Sequence, residues 1–125
     1  MSTKINSIRS FIGAKDYNES LSFYKHWGYS ELTFGPKMSY IKVTENIGFY
    51  LQDYYVKDWV DNTMLFLEVD DLITYAKQLS NMKLTELFPS VKMSEIKKEE
   101  WGMELFLHDP SGILWHVGQF YESPT

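Results

Sequence analysis

The sequence predicts an α+β domain in which one β-α-β-β-β module occurs twice. Residues 7–34 and 62–88 show the same order of features: a strand, an aspartate, a helix and a Glu-Leu pair. Strand-rich sequence follows each helix, and no long Pro-, Gly- or Ser-rich linker divides the chain. We therefore expect a single domain over residues 1–125, with the first module at about 5–56 and the second at about 62–120.

The first module begins with a strand, because two sets of residues alternate between Ile8 and Ala14 with a period of two. Asp16 and Glu19 resemble a capping box at the start of a helix, which Gly28 ends. Three more strands are predicted around the turns GPK and TEN: SELTFG, MSYIKV and IGFYLQDYY.

The second module repeats this pattern. Leu65, Leu67 and Val69 share one face of a strand, and an amphipathic helix follows Asp71. The strands SVKMSEI, GMELFLH and ILWHVGQF complete the module, and Asp-Pro-Ser-Gly at 109–112 forms the turn between the last two.

One module alone leaves a face of its four-stranded sheet uncovered. We therefore expect the two modules to form a curved mixed sheet around a central pocket. The sequence leaves open whether one chain closes this pocket or two chains share it.

Composition excludes several classes of protein. The net charge is −5 and the 12 Lys and Arg residues form no basic stripe, which argues against nucleic acid as a partner. Without cysteine the chain has no disulfide, zinc-thiolate site or thiol nucleophile, and with no long apolar run we expect no membrane span and a cytoplasmic location. Aromatic residues make up 17% of the chain, so some rings are expected to face a ligand or another subunit.

The doubled module resembles the vicinal oxygen chelate superfamily, with GAKDYNESLSFYKHWGY near its start and MELFLHDPSGILWHVGQF near its end. That superfamily includes glyoxalase I, extradiol dioxygenases, and fosfomycin- and bleomycin-resistance proteins. The resemblance covers about residues 5–120. Its enzymes hold a divalent metal with side chains from the first and last strands of each module.

By that resemblance, the metal-ligand positions fall on Arg9, Met64, Tyr50 or a close neighbour, and His116. His116 alone would bind a metal in the usual way. Arg9 is a permanent cation and Met64 is a poor ligand for hard divalent ions. We therefore expect no metal, no cofactor and no catalytic residue.

The segment EEWGMELFLHDPSG, residues 99–112, is similar to bleomycin-resistance proteins, which are dimers that sequester a cationic aromatic drug in grooves built from both subunits. The resemblance implies a homodimer that binds a cationic or planar aromatic ligand, such as a cationic glycopeptide. The alternative is a glyoxalase- or dioxygenase-like enzyme that uses His116 with Glu68 and Glu104. A third interpretation is an interaction module whose pocket is closed by its own side chains.

The expected ligand-binding residues lie on the first and last strands of the modules, in the aromatic segment 47–62 and around Trp101. They are Arg9, Phe11, Phe49, Tyr50, Gln52, Trp59, Met64, Phe66, Glu68, Trp101, Glu104, Phe106 and His116. Rings interspersed with carboxylates suit a flat cation, although they also suit a dimer contact.

Two of these residues have alternative roles. Arg9 either clamps a ligand carboxylate or pairs with Glu68 or Glu104 in place of the lost metal. His116 either hydrogen-bonds a ligand or is satisfied within the protein. His108 is assigned to the neighbouring turn.

Overall fold

The computed structural model describes residues 3–122. The first module contains one long helix and four strands, followed by a short helix. In chain order these are β1 (Phe11–Gly13), α1 (Tyr17–His26), β2 (Ser30–Thr33), β3 (Met38–Thr44), β4 (Ile47–Gln52) and α2 (Lys57–Asp61).

The second module repeats the pattern with an extra short helix. Its elements are β5 (Met64–Glu68), α3 (Leu72–Asn81), α4 (Leu84–Leu87), β6 (Lys92–Met93), β7 (Lys97–Lys98), β8 (Gly102–His108) and β9 (Leu114–Phe120).

The two modules have matching topologies. The first sheet has the strand order β1-β4-β3-β2 and the second has β5-β9-β8-β6, with β7 also paired to β8. In each sheet the module's first strand runs parallel to its last strand, and the other pairs are antiparallel. The predicted α+β class and repeated module are therefore confirmed.

Both long helices begin as predicted. Asp16 accepts a hydrogen bond from the backbone N–H of Glu19, and Asp71 accepts one from Thr74, each at 3.1 Å. These carboxylates satisfy N–H groups that have no partner within the helix. Gly28 follows α1 with a φ of +103°, a conformation that favours glycine.

The predicted strand at SVKMSEI is divided into β6 and β7. The Ser94 hydroxyl accepts the backbone N–H of Phe106 at 2.9 Å, a group that a continuous strand would bond through its backbone. A side chain thus interrupts the ladder between the two short strands.

The inner faces of both sheets pack into one core that runs through the two modules. Trp115 of β9 lies 5.4 Å from Phe49 of β4 and 5.9 Å from Tyr24 of α1, measured between ring centroids. Successive side chains of a strand point to opposite faces. Each sheet therefore turns its outer face away from the shared core.

A buried polar joint connects the modules. Asp109, in the turn between β8 and β9, accepts a 2.7 Å hydrogen bond from the Tyr24 hydroxyl and 2.9 Å bonds from the backbone N–H groups of Ser111, Gly112 and Ile113. Burial raises the pKa of Asp109 from its ordinary 3.8 to about 6, although these donors act in the opposite direction.

The strands form two separate sheets, and Trp115 and the side chains around it fill the space between the modules, so both outer faces lie at the surface. Among residues 3–122, no helix is long and apolar enough to cross a membrane.

Candidate functional site

The outer face of the first sheet, called the first face below, carries a layer of aromatic side chains. Strand register places Phe11, Tyr50 and Tyr40 side by side on β1, β4 and β3. The Phe11 ring stacks on Tyr50 with centroids 4.7 Å apart, and Phe11 remains 55% exposed. This layer presents a flat apolar surface to a molecule outside the chain.

Arg9 lies on this aromatic layer. Its Nη1 donates a 3.0 Å hydrogen bond to the Tyr50 hydroxyl, and its guanidinium carbon lies 4.3 Å from the Tyr40 ring centroid. Glu104 lies on the other sheet and contacts His116. Within the chain, the Arg9 cation is held by tyrosines of its own sheet.

A small cleft of about 70 Å³ lies at one end of the first face. Phe11, Gln52 and Trp59 line it together with residues from the start of α2. Trp59 packs edge-on against Tyr54 at 5.9 Å. The structure thus brings together three of the predicted ligand-binding residues.

The prediction that Phe49 contacts a ligand is wrong. Its side chain is 2% exposed and packs against Tyr24 and Trp115 in the core. The strand alternation explains this, because Tyr50 occupies the outer face and its neighbour must point inward.

The outer face of the second sheet, the second face, is centred on a histidine–glutamate pair. His116 Nδ1 lies 2.9 Å from Glu104 Oε1, and Glu104 is almost fully buried. A carboxylate only accepts hydrogen bonds, so Nδ1 carries the proton. His116 Nε2 lies 3.4 Å from the Met64 sulfur. It can accept a hydrogen bond, or donate one when the imidazole is charged.

An aromatic cluster borders one end of the pair. Phe66, Trp101 and Phe120 have ring centroids between 5.1 and 5.9 Å apart. Gly118 makes room for it, since a Cβ there would lie 2.6 Å from Phe66 Cζ. Phe120 was missed, although the period of two from His116 through Gly118 identifies its face.

A larger hollow lies at the other end of the second face. Its volume is about 500 Å³, and its lining includes the predicted Phe106. The Phe106 ring meets His116 edge-on at 5.2 Å. The remaining lining residues are Lys92, Met93, Ser94, His108 and Leu114. Assigning His108 to the turn alone was therefore incomplete, and its alternation with Phe106 was the missed signal.

The donor set on these faces does not suit a hard divalent metal. Over residues 3–122, no three His, Cys, Asp or Glu side chains are grouped closely enough to hold an ion. At His116 the side chain beside Nε2 is a thioether, and Glu104 occupies Nδ1. Arg9 contacts tyrosines of the first sheet. Zinc, nickel or iron sites need three or four convergent ligands.

Solved structures with the same fold include antibiotic-binding proteins. No family model and no curated protein matches the sequence. A bleomycin-binding protein from Streptomyces verticillus, complexed with copper(II)-bleomycin, superimposes with a TM-score of 0.76 at 18% identity, covering 93% of this chain and 97% of that one. TnmS3, an antibiotic-binding protein from Streptomyces sp. CB03234, gives 0.72 at 17% identity, covering 95% and 99%.

An enzyme shares the fold as well. Lactoylglutathione lyase from Agrobacterium tumefaciens superimposes with a TM-score of 0.68 at 14% identity, covering 93% of this chain and 96% of that one. The chain therefore shares the fold of these bleomycin-binding and glyoxalase-related proteins, and the predicted resemblance is confirmed at the level of the fold. A fold of this kind carries binders and enzymes alike.

Proposed function

We propose that this protein is a metal-free small-molecule-binding protein that works as a homodimer. In the dimer, the first face of one copy lies opposite the second face of the other, and the ligand binds between them. The observation that carries the proposal is the back-to-back packing of the modules, which gives one chain two outward aromatic faces. Each face supplies half of an enclosed site.

Exposed apolar groups support a second copy as the cover. Phe11 is 55% exposed and Phe66 is 45% exposed, and they lie on different faces. The segment 3–10 precedes β1 and has no helix or strand of its own, and Ile8 within it is 98% exposed. Large exposed apolar groups on this scale mark interaction surfaces.

The ligand class follows from the side chains that line the faces. Phe11 and Tyr50 on one copy, and Phe66 and Trp101 on the other, offer rings on which a planar molecule can stack. Glu104 adds a carboxylate, which is hydrogen-bonded to His116. A planar or cationic aromatic molecule suits this set, as the bleomycin-binding neighbours also suggest.

Calorimetric titration with bleomycin and a panel of other cationic aromatic compounds tests the proposal. We expect saturable binding with one site per chain, weakened roughly 30-fold in Phe66→Ala and kept in Leu87→Ala, which removes a similarly exposed apolar side chain from α4. If no compound of a broad panel binds, the binding proposal fails. Analytical ultracentrifugation tests the dimer, and a monomer at binding concentrations would contradict it.

Metal analysis separates binding from the enzyme alternative that uses His116, Glu68 and Glu104. We expect protein prepared without chelators to hold zinc, nickel and iron far below one ion per chain. Stoichiometric metal that is lost in His116→Ala would favour the enzyme instead.

A further inference from the structure

A second hollow adjoins the one on the second face. Its volume is about 270 Å³, and it lies beside the turn at 109–112. Lys92 and His108 line both hollows, so the two lie next to each other, and together they are called the depression below.

The end on the second face is apolar. Phe106, Leu114 and Met93 supply its walls, and all three side chains are partly exposed. An aromatic ring or a short acyl chain placed there removes apolar surface from water on both partners.

The end beside the turn carries cations without counterions. Lys15 and Lys92 both line it, and in the described part of the chain neither ammonium has a carboxylate within 4 Å. Five other lysines are paired with glutamate or aspartate. Lys15 Nζ lies 5.9 Å from the Tyr55 ring centroid, a further wall of the hollow.

The nearby carboxylates are engaged elsewhere. Both oxygens of Asp109 are filled by the Tyr24 hydroxyl and three backbone N–H groups. Asp61, close to Gly112, pairs with Lys57 at 2.6 Å, and Asp16 caps α1. The hollow beside the turn is therefore lined by two ammonium groups without an ion-pair partner among residues 3–122 and by one carboxylate, Asp109, in a chain whose net charge is −5.

We propose that this depression binds a small amphiphilic anion, an aryl or acyl carboxylate or phosphate. Its apolar body lies on Phe106 and Leu114, and its anionic group lies between Lys15 and Lys92. This goes beyond the proposed function, because the depression requires neither the aromatic layer of the first face nor a cationic ligand.

Calorimetry with three naphthalene probes tests the site: 2-naphthoate, 1-naphthyl phosphate and the neutral naphthalene-2-methanol. We expect both anions to bind at least about tenfold more tightly than the alcohol, with the preference shrinking as salt rises. If the phosphate binds more tightly than the carboxylate, the better ligand is a phosphate ester. If the carboxylate binds more tightly, the better ligand is a carboxylate. Equal binding of all three probes would overturn the proposal.

Paired variants locate the anion. Lys15→Gln with Lys92→Gln should weaken both anions about tenfold and leave the alcohol within twofold. The control double variant, Lys37→Gln with Lys98→Gln, changes the net charge equally at lysines outside the depression. It should leave the binding of the anions and of the alcohol unchanged. Equal losses in the two double variants would show a general charge effect and contradict the site. Anion binding that survives when the cationic panel fails would refute the proposed function alone.

Discussion

The two modules share a topology but differ in what covers their outer faces. Strand register makes Phe11, Tyr50 and Tyr40 on the first face equivalent to Phe66, His116 and Phe106 on the second. One module centres its face on a tyrosine that binds a guanidinium, and the other on an imidazole that binds a carboxylate. Neither arrangement leaves a set of free metal donors.

The faces also differ in how completely their own side chains fill them. Tyr40 is buried beneath Arg9 and lies across Gly48, where a Cβ would meet its hydroxyl at 2.3 Å. The second face instead has a hollow of about 500 Å³ beside Phe106. The second face therefore offers more open volume than the first face, whose cleft measures about 70 Å³.

The largest expected effect comes from breaking the joint that sets the two faces back to back. Asp109→Ala removes the acceptor of the Tyr24 hydroxyl and of backbone N–H groups in the turn. We expect the free energy of unfolding to fall by about 3 kcal/mol, since buried donors lose their partner. Urea denaturation measures it, with the exposed Asp70→Ala as control. If Asp109→Ala and Asp70→Ala are equally stable, the joint does not stabilise the packing of the two modules.

The same carboxyl should give stability a distinctive pH dependence. Because burial raises the pKa of Asp109 from 3.8 to about 6, the folded state holds more protons between these values. Its contribution to the free energy of unfolding therefore decreases as pH rises from about 4 to about 6, by roughly 2–3 kcal/mol.

Glu31 and Asp71 act in the opposite direction, because hydrogen bonds from Thr33 and Thr74 lower their pKa values. The measurement is therefore the difference between wild type and Asp109→Asn in urea titrations across this range. Asparagine can still accept the backbone hydrogen bonds but does not titrate. A difference that is constant with pH would contradict the raised pKa.

Mixing two defective variants tests whether the faces of different copies combine. Phe11→Ala damages the first face and Phe66→Ala the second, and each should cost about 2 kcal/mol of binding free energy, or roughly 30-fold. A mixed dimer pairs one intact first face with one intact second face. After random exchange half of the dimers are mixed, and each mixed dimer has one intact site out of two. Calorimetry should therefore detect about a quarter of the wild-type number of sites. No recovery after verified exchange would place both faces in separate sites.

Local sequence patterns predicted much of the fold, and tertiary packing decided the rest. The caps at Asp16 and Asp71 and the alternation around His116 need only local geometry. Period-two alternation shows which side chains share a face, but not which face is buried. Phe49 was therefore misplaced, and the outward direction of both faces depends on long-range contacts with Trp115.

The smallest expected effects come from two glycines that sharpen the contrast between the faces. At Gly118 an added Cβ meets the tip of Phe66 at 2.6 Å, whereas at Gly48 it meets the Tyr40 hydroxyl and also the backbone oxygen of Ile41 at 2.5 Å. The exposed Phe66 ring can move, but backbone cannot. Gly118→Ala should lower the free energy of unfolding by less than about 1 kcal/mol and weaken ligand binding severalfold. Gly48→Ala should lower the free energy of unfolding by about 1–2 kcal/mol. Denaturation and calorimetry on both variants measure this, and a greater stability loss at Gly118 would reverse the assignment of the open and filled faces.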